Sequence, residues 1–120
     1  MVRLLVIDDI PDARALLRIA LGRFGRYEVV DEADNAETGI ELAYRLQPDG
    51  IILDVLLPGM SGIDALPPLL EAAPNAKVVL WSSTANATGD RAVELGAVGY
   101  VDKLEGVDPL VRLLDEVFPE

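Results

Sequence analysis

Four groups of polar residues in this sequence have side chains suited to chemistry, and each follows directly after an apolar run. The acidic pair Asp8-Asp9 follows Leu-Leu-Val-Ile, and the single carboxylate Asp54 follows Ile-Ile-Leu. Ser82 ends the run Val-Val-Leu-Trp-Ser, and Lys103 follows Tyr-Val-Asp. Carboxylates bind hard cations, and a carboxylate can also act as a nucleophile. These residue types favour metal-assisted chemistry at a carboxylate, provided that the fold brings them together.

The stretch 50–62, which reads Gly-Ile-Ile-Leu-Asp-Val-Leu-Leu-Pro-Gly-Met-Ser-Gly, carries the clearest structural signal. A short apolar run bounded by turn residues is typical of a strand that is buried on both faces, as in parallel sheets. Open α/β sheets bind ligands at the carboxyl ends of their strands, which is where Asp54 would lie. Taken alone, the stretch is equally compatible with an Asp54 that merely starts the turn.

Four further stretches have strand character, and helical patterns separate them. The expected strands are 3–8, 27–33, 50–54, 77–82 and 97–102, and the more polar 27–33 is expected at a sheet edge. Five strands that alternate with five helices predict an α/β fold with a doubly wound, five-stranded parallel sheet. The expected strand order is the flavodoxin-like 2-1-3-4-5.

The first and last helices are indicated by apolar residues at helical spacing. The first begins at Pro11 and ends before Gly25. Its expected apolar face consists of Ala13, Leu16, Leu17, Ala20, Leu21 and Phe24. The face of the last helix consists of Val107, Leu110, Val111, Leu114 and Phe118.

The three middle helices have weaker signals. The second covers 34–46 and opens on a sequence that resembles a capping box, and the fourth covers about 86–95. The third begins either at Gly62 or near Ala65, because Pro67-Pro68 would remove two backbone donors from a helix that starts at the glycine. The sequence alone leaves both starts open.

Composition limits the classes of function. The 120 residues predict one domain, 1–120, and the net charge of −11 argues against direct binding of nucleic acid or of an anionic membrane surface. The absence of Cys and His excludes disulfides, thiol chemistry and histidine ligands, so a metal would have to be a hard cation bound by oxygen. No apolar run approaches the ~20 residues of a membrane span, and no signal peptide is recognisable. We therefore expect a cytoplasmic protein.

In the predicted strand order, the carboxyl ends of strands one, three, four and five meet at one edge of the sheet. That edge would collect Asp8, Asp9, Asp54, Ser82 and Lys103. Three neighbouring carboxylates repel one another and favour a bound cation, for which Mg²⁺ is the natural candidate. With a lysine and a hydroxyl beside them, these groups suit transfer of a phosphoryl group to Asp54.

The sequence resembles the receiver domains of bacterial two-component response regulators over essentially its whole length. The resemblance rests on the acidic pair Asp8-Asp9, on Asp54 followed by Pro58 and Gly62, on Ser82 after Val-Val-Leu-Trp, and on Gly-Ala-Val-Gly-Tyr-Val-Asp-Lys at 96–103. These motifs stand in the family's order at the expected strand ends.

The resemblance implies specific roles for these residues. Asp54 would be the phosphoacceptor, and Asp8, Asp9, Asp54 and the backbone carbonyl of Leu56 would bind Mg²⁺. Ser82 would be the switch hydroxyl, Lys103 the counter-charge of the phosphoryl group, and Tyr100 the aromatic residue that moves on activation. Such a domain is a signalling module rather than an enzyme.

The same resemblance implies partners. A sensor histidine kinase or a phosphotransfer protein would supply the phosphoryl group, and an output domain or protein would respond to the face formed by the fourth helix, the fifth strand and the fifth helix. Homodimerisation through that face is a further expectation.

Two positions depart from the family pattern. Leu104 stands where proline often follows the lysine, so we expect a trans bond and a differently shaped loop there. Leu56 occupies a position that tunes hydrolysis in the family, and an apolar side chain there predicts slow self-dephosphorylation.

Alternative interpretations remain at this point. Asp8 and Asp9 could merely cap the first helix, Lys103 could be an ordinary exposed lysine, and Tyr100 could simply pack. The whole chain could be a flavodoxin-like cofactor binder, a phosphatase of the haloacid-dehalogenase type, or a receiver-like interaction module that is not phosphorylated.

Overall fold

The computed structural model describes all 120 residues, and its strands form one parallel sheet. The strands are β1 (Val2–Ile7), β2 (Tyr27–Ala33), β3 (Gly50–Leu53), β4 (Lys77–Ser82) and β5 (Gly99–Asp102). The helices are α1 (Pro11–Gly22), α2 (Ala36–Leu46), α3 (Gly62–Ala72), α4 (Ala85–Glu94) and α5 (Asp108–Val117), with a 3₁₀ turn at Lys103–Glu105. None of the helices has the length and apolarity needed to cross a lipid bilayer.

The sheet order is β2-β1-β3-β4-β5, which confirms the predicted fold, including the edge position of β2. The chain passes from β1 to the edge strand β2 and then returns across β1 to β3. The order therefore reverses between β1 and β3, and their carboxyl ends flank the crevice that this fold uses for ligands.

Alternation along the strands divides the core into two layers. In β1, Leu5 and Ile7 pack towards α2, α3 and α4, whereas Leu4 and Val6 pack towards α1 and α5. All four side chains are fully buried, and each burial stabilises the fold by about 1.5–3 kcal/mol. Helices on both faces explain why the strands read as continuous apolar runs.

The apolar face predicted for the first helix is partly wrong. Leu17 and Leu21 are fully buried, but Leu16 and Phe24 are about half exposed. Phe24 lies beyond the end of α1 at Gly22 and so leaves the helical register. The buried face of α1 therefore contains fewer residues than the apolar spacing of the sequence predicts.

The starts of two helices also differ from simple sequence signals. Ser61 caps α3 by accepting a hydrogen bond from the amide of Asp64 at 3.1 Å, so α3 begins at Gly62 and contains both prolines. For α2 the capping-box prediction is wrong, because Asn35 alone supplies the cap by accepting from the amide of Thr38 at 2.8 Å.

A buried tyrosine joins the edge strand to the last helix. The Tyr27 hydroxyl donates to Asp115 Oδ1 at 2.6 Å, and Arg26 Nη1 contacts the same carboxylate oxygen at 3.0 Å. Burial, followed by the hydrogen bond to the Asp115 carboxylate, raises the pKa of Tyr27 above its ordinary value.

We expect Tyr27→Phe to lower the free energy of unfolding at pH 7 by about 1–2 kcal/mol, because the bond to Asp115 is lost. A raised tyrosine pKa contributes stability that is present below the unfolded-state value of about 10 and is lost as the pH rises through the folded-state value. The difference between the two proteins should therefore narrow above about pH 10. Urea unfolding at several pH values measures it, with Tyr44→Phe, at a 70% exposed ring, as the control. Equal stability of wild type and Tyr27→Phe at neutral pH would contradict the expectation.

Candidate functional site

The crevice between β1 and β3 holds two buried carboxylates. Asp8 and Asp54 follow the last residues of these strands and are only 2% and 4% exposed. Backbone bonds extend the ladder through both, because the Asp8 amide donates to Ala33 and the Asp54 amide donates to Ile7, each at 3.0 Å. The sheet therefore fixes the positions from which both side chains start.

Asp9 completes an acidic cluster with these two residues. One carboxylate oxygen from each of Asp8, Asp9 and Asp54 lies within 4.8 Å of the others. Asp9 is exposed, and its carboxylate makes no hydrogen bond or ion pair with the protein. The interpretation of Asp9 as a helix cap is wrong, because the N-cap of α1 is Ile10 and it has no side-chain cap bond.

Lys103 brings a positive charge into the cluster from the end of β5. Its Nζ lies 2.6 Å from Asp8 Oδ2 and 3.1 Å from Asp54 Oδ2, and it lies 5.3 Å from the centre of the Trp81 ring. The alternative of an ordinary exposed lysine is wrong, since the side chain is mostly buried.

The turn that follows Lys103 has no cis peptide bond, as predicted for Leu104. Asp102 accepts a hydrogen bond from the Leu104 amide at 2.8 Å and so starts the 3₁₀ turn. The Trp81 indole N–H also donates to the Gly106 carbonyl at 3.3 Å. The segment 103–106, the lysine loop, is thus held at both ends.

Burial and ion pairing both shift the pKa values of Asp8 and Lys103. Burial raises the pKa of Asp8 above its ordinary value, although hydrogen bonds from Lys103 and from the Ile10 amide act in the opposite direction. Burial alone would lower the pKa of Lys103, but the bonds and charges of Asp8 and Asp54 together outweigh it, so the pKa of Lys103 is raised. Lys103 therefore keeps its charge at neutral pH.

Ser82 and Tyr100 lie near the same edge but point to different neighbours. Ser82 is fully buried at the end of β4, and its hydroxyl lies 3.2 Å from that of Thr84. The Tyr100 ring is 37% exposed and lies against α4, where its hydroxyl donates to Asp90 Oδ1 at 3.0 Å. A Cβ atom on Gly89 would collide with this ring. The contacts with Asp90 and Gly89 were not predicted from the sequence.

The loop after Asp54 is drawn tightly against α3. The Leu56 amide donates to Asp54 Oδ1 at 3.3 Å, and no protein group donates to the Leu56 carbonyl. Gly62 lies so close to the carboxyl end of β3 that a Cβ atom there would collide with the Asp54 carbonyl oxygen. This close approach explains why glycine follows eight residues after the aspartate.

The donor set suits a hard divalent cation. The cluster offers three carboxylates, and the chain contains no Cys or His to favour a softer metal. Oxygen ligands that leave room for water are the usual environment of Mg²⁺. The residues present therefore fit the predicted ion.

Comparison with known proteins decides the family. The family model for the response regulator receiver domain matches residues 4–115. The chain belongs to the response regulator receiver family. It is 33% identical to the response regulator GacA of Pseudomonas aeruginosa over 98% of the chain, and 32% identical to the chemotaxis protein CheY of Thermotoga maritima over 96% of it. The chain is therefore not a member of the flavodoxin family or of the haloacid-dehalogenase family.

The relatives of this receiver domain differ in length. The chain spans 96% of CheY but only 56% of GacA and 26% of a protein-glutamate methylesterase of Maricaulis maris. Its fold matches the T. maritima response regulator TrrA in complex with Mg²⁺-BeF, with a TM-score of 0.86, 30% identity and coverage of 98% and 100% of the two chains. The receiver domain of NarL from Mycobacterium tuberculosis matches equally well, with a TM-score of 0.86, 30% identity and coverage of 99% and 98%.

We expect Gly62→Ala to lower the free energy of unfolding by about 1–3 kcal/mol, because the added methyl group must displace the backbone of Asp54 or of α3. Gly22→Ala is the matched control, since a Cβ atom at this helical glycine meets nothing within 4 Å. Chemical denaturation of both variants measures the effect. A Gly62→Ala protein as stable as Gly22→Ala would show that the receiver domain tolerates the close approach without cost.

Proposed function

We propose that this receiver domain accepts a phosphoryl group on Asp54 in a Mg²⁺-dependent transfer from the phosphohistidine of a partner kinase or phosphotransfer protein. The observation that supports this best is the convergence of three carboxylates and one ammonium group at the β1–β3 crevice. In particular, Lys103 Nζ lies 3.1 Å from Asp54 Oδ2. A carboxylate acceptor with a cation beside it suits phosphoryl transfer, because the cation can balance charge on the phosphoryl oxygens.

In the proposed reaction, an oxygen of Asp54 attacks phosphorus. The new O–P bond forms as the P–N bond of phosphohistidine breaks, and the imidazole leaves with the electron pair. Lys103 balances the negative charge on the phosphoryl oxygens. The burial of Asp54 limits access by competing water.

Asp8, Asp9, Asp54 and the carbonyl of Leu56 are the proposed ligands of Mg²⁺, which when bound would neutralise charge on the phosphoryl oxygens. The Mg²⁺-BeF complex of the related TrrA supports this choice of ion. Lys103 Nζ also contacts Asp8 Oδ2 at 2.6 Å, so Asp8 would serve both the ammonium group and the metal.

The proposed response runs from Ser82 to Tyr100. The Ser82 hydroxyl, now beside Thr84, would turn to the phosphoryl group, and Tyr100 would leave its place on α4. The face formed by α4, β5 and α5 would then present a changed surface to an output domain, an output protein or a second copy. In the proposal, the local change at Ser82 thus reaches the surface through Tyr100.

An apolar rim is the proposed contact surface for the phosphodonor protein. Ile10, Leu56 and Leu104 are 48%, 56% and 80% exposed, and each lies within two residues of a charged residue of the site. In the proposal, a partner that brings a phosphohistidine to Asp54 approaches over these side chains. Apolar contact would help to exclude water during transfer.

Incubation with acetyl phosphate and Mg²⁺, followed by intact-mass measurement, tests the proposal. Wild type should gain the mass of one phosphoryl group, and Asp54→Ala should gain none, because the nucleophile is lost. Asp49→Ala is the control, since this exposed acid lies at the opposite end of β3. Wild-type protein that stays unmodified, or Asp54→Ala that is still modified, would refute the assignment.

We also expect Leu56→Asn to speed the loss of the phosphoryl group about tenfold, because an amide at this half-exposed position can orient water and lower the barrier by about 1.4 kcal/mol. The decay of the phosphorylated mass after removal of acetyl phosphate measures the rate. Leu104→Asn, on the lysine loop, is the control. Decay of the wild type within seconds, without a phosphatase, would contradict the slow hydrolysis predicted for Leu56.

A further inference from the structure

We propose that Arg14 is a positioning residue for the metal-binding acids, which fixes the peptide group between Asp8 and Asp9 and so orients Asp9 towards Mg²⁺. The inference rests on the proposed function, because the metal site is part of that function. It assigns a role to a helix residue that was not among the predicted site residues.

The two adjacent acids are held in very different ways. Every polar atom of Asp8 has a partner: its amide donates to Ala33 and its carbonyl accepts from Arg14, while Oδ1 accepts from the Ile10 amide at 2.9 Å and Oδ2 contacts Lys103. The Asp9 carboxylate has no protein partner, although its oxygen lies within 4.8 Å of those of Asp8 and Asp54. The direction of Asp9 is therefore set by its backbone alone.

Arg14 acts on that backbone. Its Nη1 donates to the Asp8 carbonyl at 2.6 Å, and a peptide group is a rigid plane that ends at the Cα atom of Asp9. Rotation of this plane would swing the Asp9 side chain away from the cluster. A charge-assisted bond of this length restrains the loop between β1 and α1.

The guanidinium group is itself anchored to the sheet. Arg14 Nε donates to Glu32 Oε1 at 2.9 Å, and Glu32 lies in β2 opposite Val6 of β1. The arginine thus uses two edges of its planar group at once, with one on the acidic loop and one on the neighbouring strand. It is 18% exposed, so solvent competes little for these bonds.

Arg18, one turn later in α1, provides a natural comparison. It also pairs with Glu32 and donates to a backbone carbonyl, that of Val29 at 3.0 Å, but it does not contact the acidic loop. The two arginines therefore make the same kinds of bond, and only Arg14 reaches Asp8. Arg18 is the more exposed of the two, at 46% against 18%, so its loss should cost no more stability than loss of Arg14, and only Arg14 should affect the metal site.

Titration of Mg²⁺ into the metal-free protein by calorimetry, with thermal unfolding in parallel, tests the proposal. We expect Arg14→Ala to raise the Mg²⁺ dissociation constant about tenfold, the effect typical of a residue that orients a metal ligand. Arg18→Ala should stay near the wild-type constant, and the parallel unfolding curves separate any loss of stability from a loss of Mg²⁺ affinity. If Arg14→Ala does not fold, the charge-conserving pair Arg14→Lys and Arg18→Lys takes its place, because lysine cannot reproduce the two-edged contact.

Equal dissociation constants for the Arg14 and Arg18 variants would overturn the positioning role and leave the proposed function intact. A wild-type protein that takes up no Mg²⁺ would overturn both proposals. A loss of Mg²⁺ affinity in the folded Arg14 variant that the folded Arg18 variant does not show supports the inference.

Discussion

The ammonium group of Lys103, held between the carboxylates of Asp8 and Asp54, is the interaction on which this site depends. The parallel sheet forces two acids into a buried crevice, and unpaired charges there would be costly. Removal of one partner from a buried ion pair typically costs about 3–5 kcal/mol. The lysine therefore stabilises this arrangement, because its charge compensates those of the two buried carboxylates.

Elements distant in the sequence cooperate to hold this lysine in place. Trp81 lies under the ammonium group and also bonds to Gly106, beyond the 3₁₀ turn. Asp102 caps that turn from the other side. A loop that lacks the proline common in the family is thus ordered by side-chain contacts from two neighbouring strands.

The sequence was sufficient to predict the strand order and the meeting of Asp8, Asp54 and Lys103, because parallel strands deliver their carboxyl ends to one edge. It could not predict the inward face of α1, since the rotation of a helix against a sheet is set by tertiary packing. For that reason Leu16 was wrongly expected to be buried. The contact of Arg14 with Asp8 and the contact of Tyr100 with Asp90 could not be predicted from the sequence either. The partners of long polar side chains depend on how the helices pack. The resemblance to receiver domains suggested roles for the site residues, which composition alone could not do.

The glycine beneath Tyr100 has a consequence for the stability of α4. Because the ring rests directly on helix backbone, this position excludes better helix formers, at a cost of about 0.5–1 kcal/mol in helix propensity. The buried residues of α4 are Ala85, Gly89 and Ala92, all of them small, and no side chain caps its first turn. Little apolar area therefore anchors α4 to the sheet, which places it at the low end of the range of local opening energies in this molecule. The helix that the aromatic ring touches is therefore the one whose rearrangement costs the least free energy.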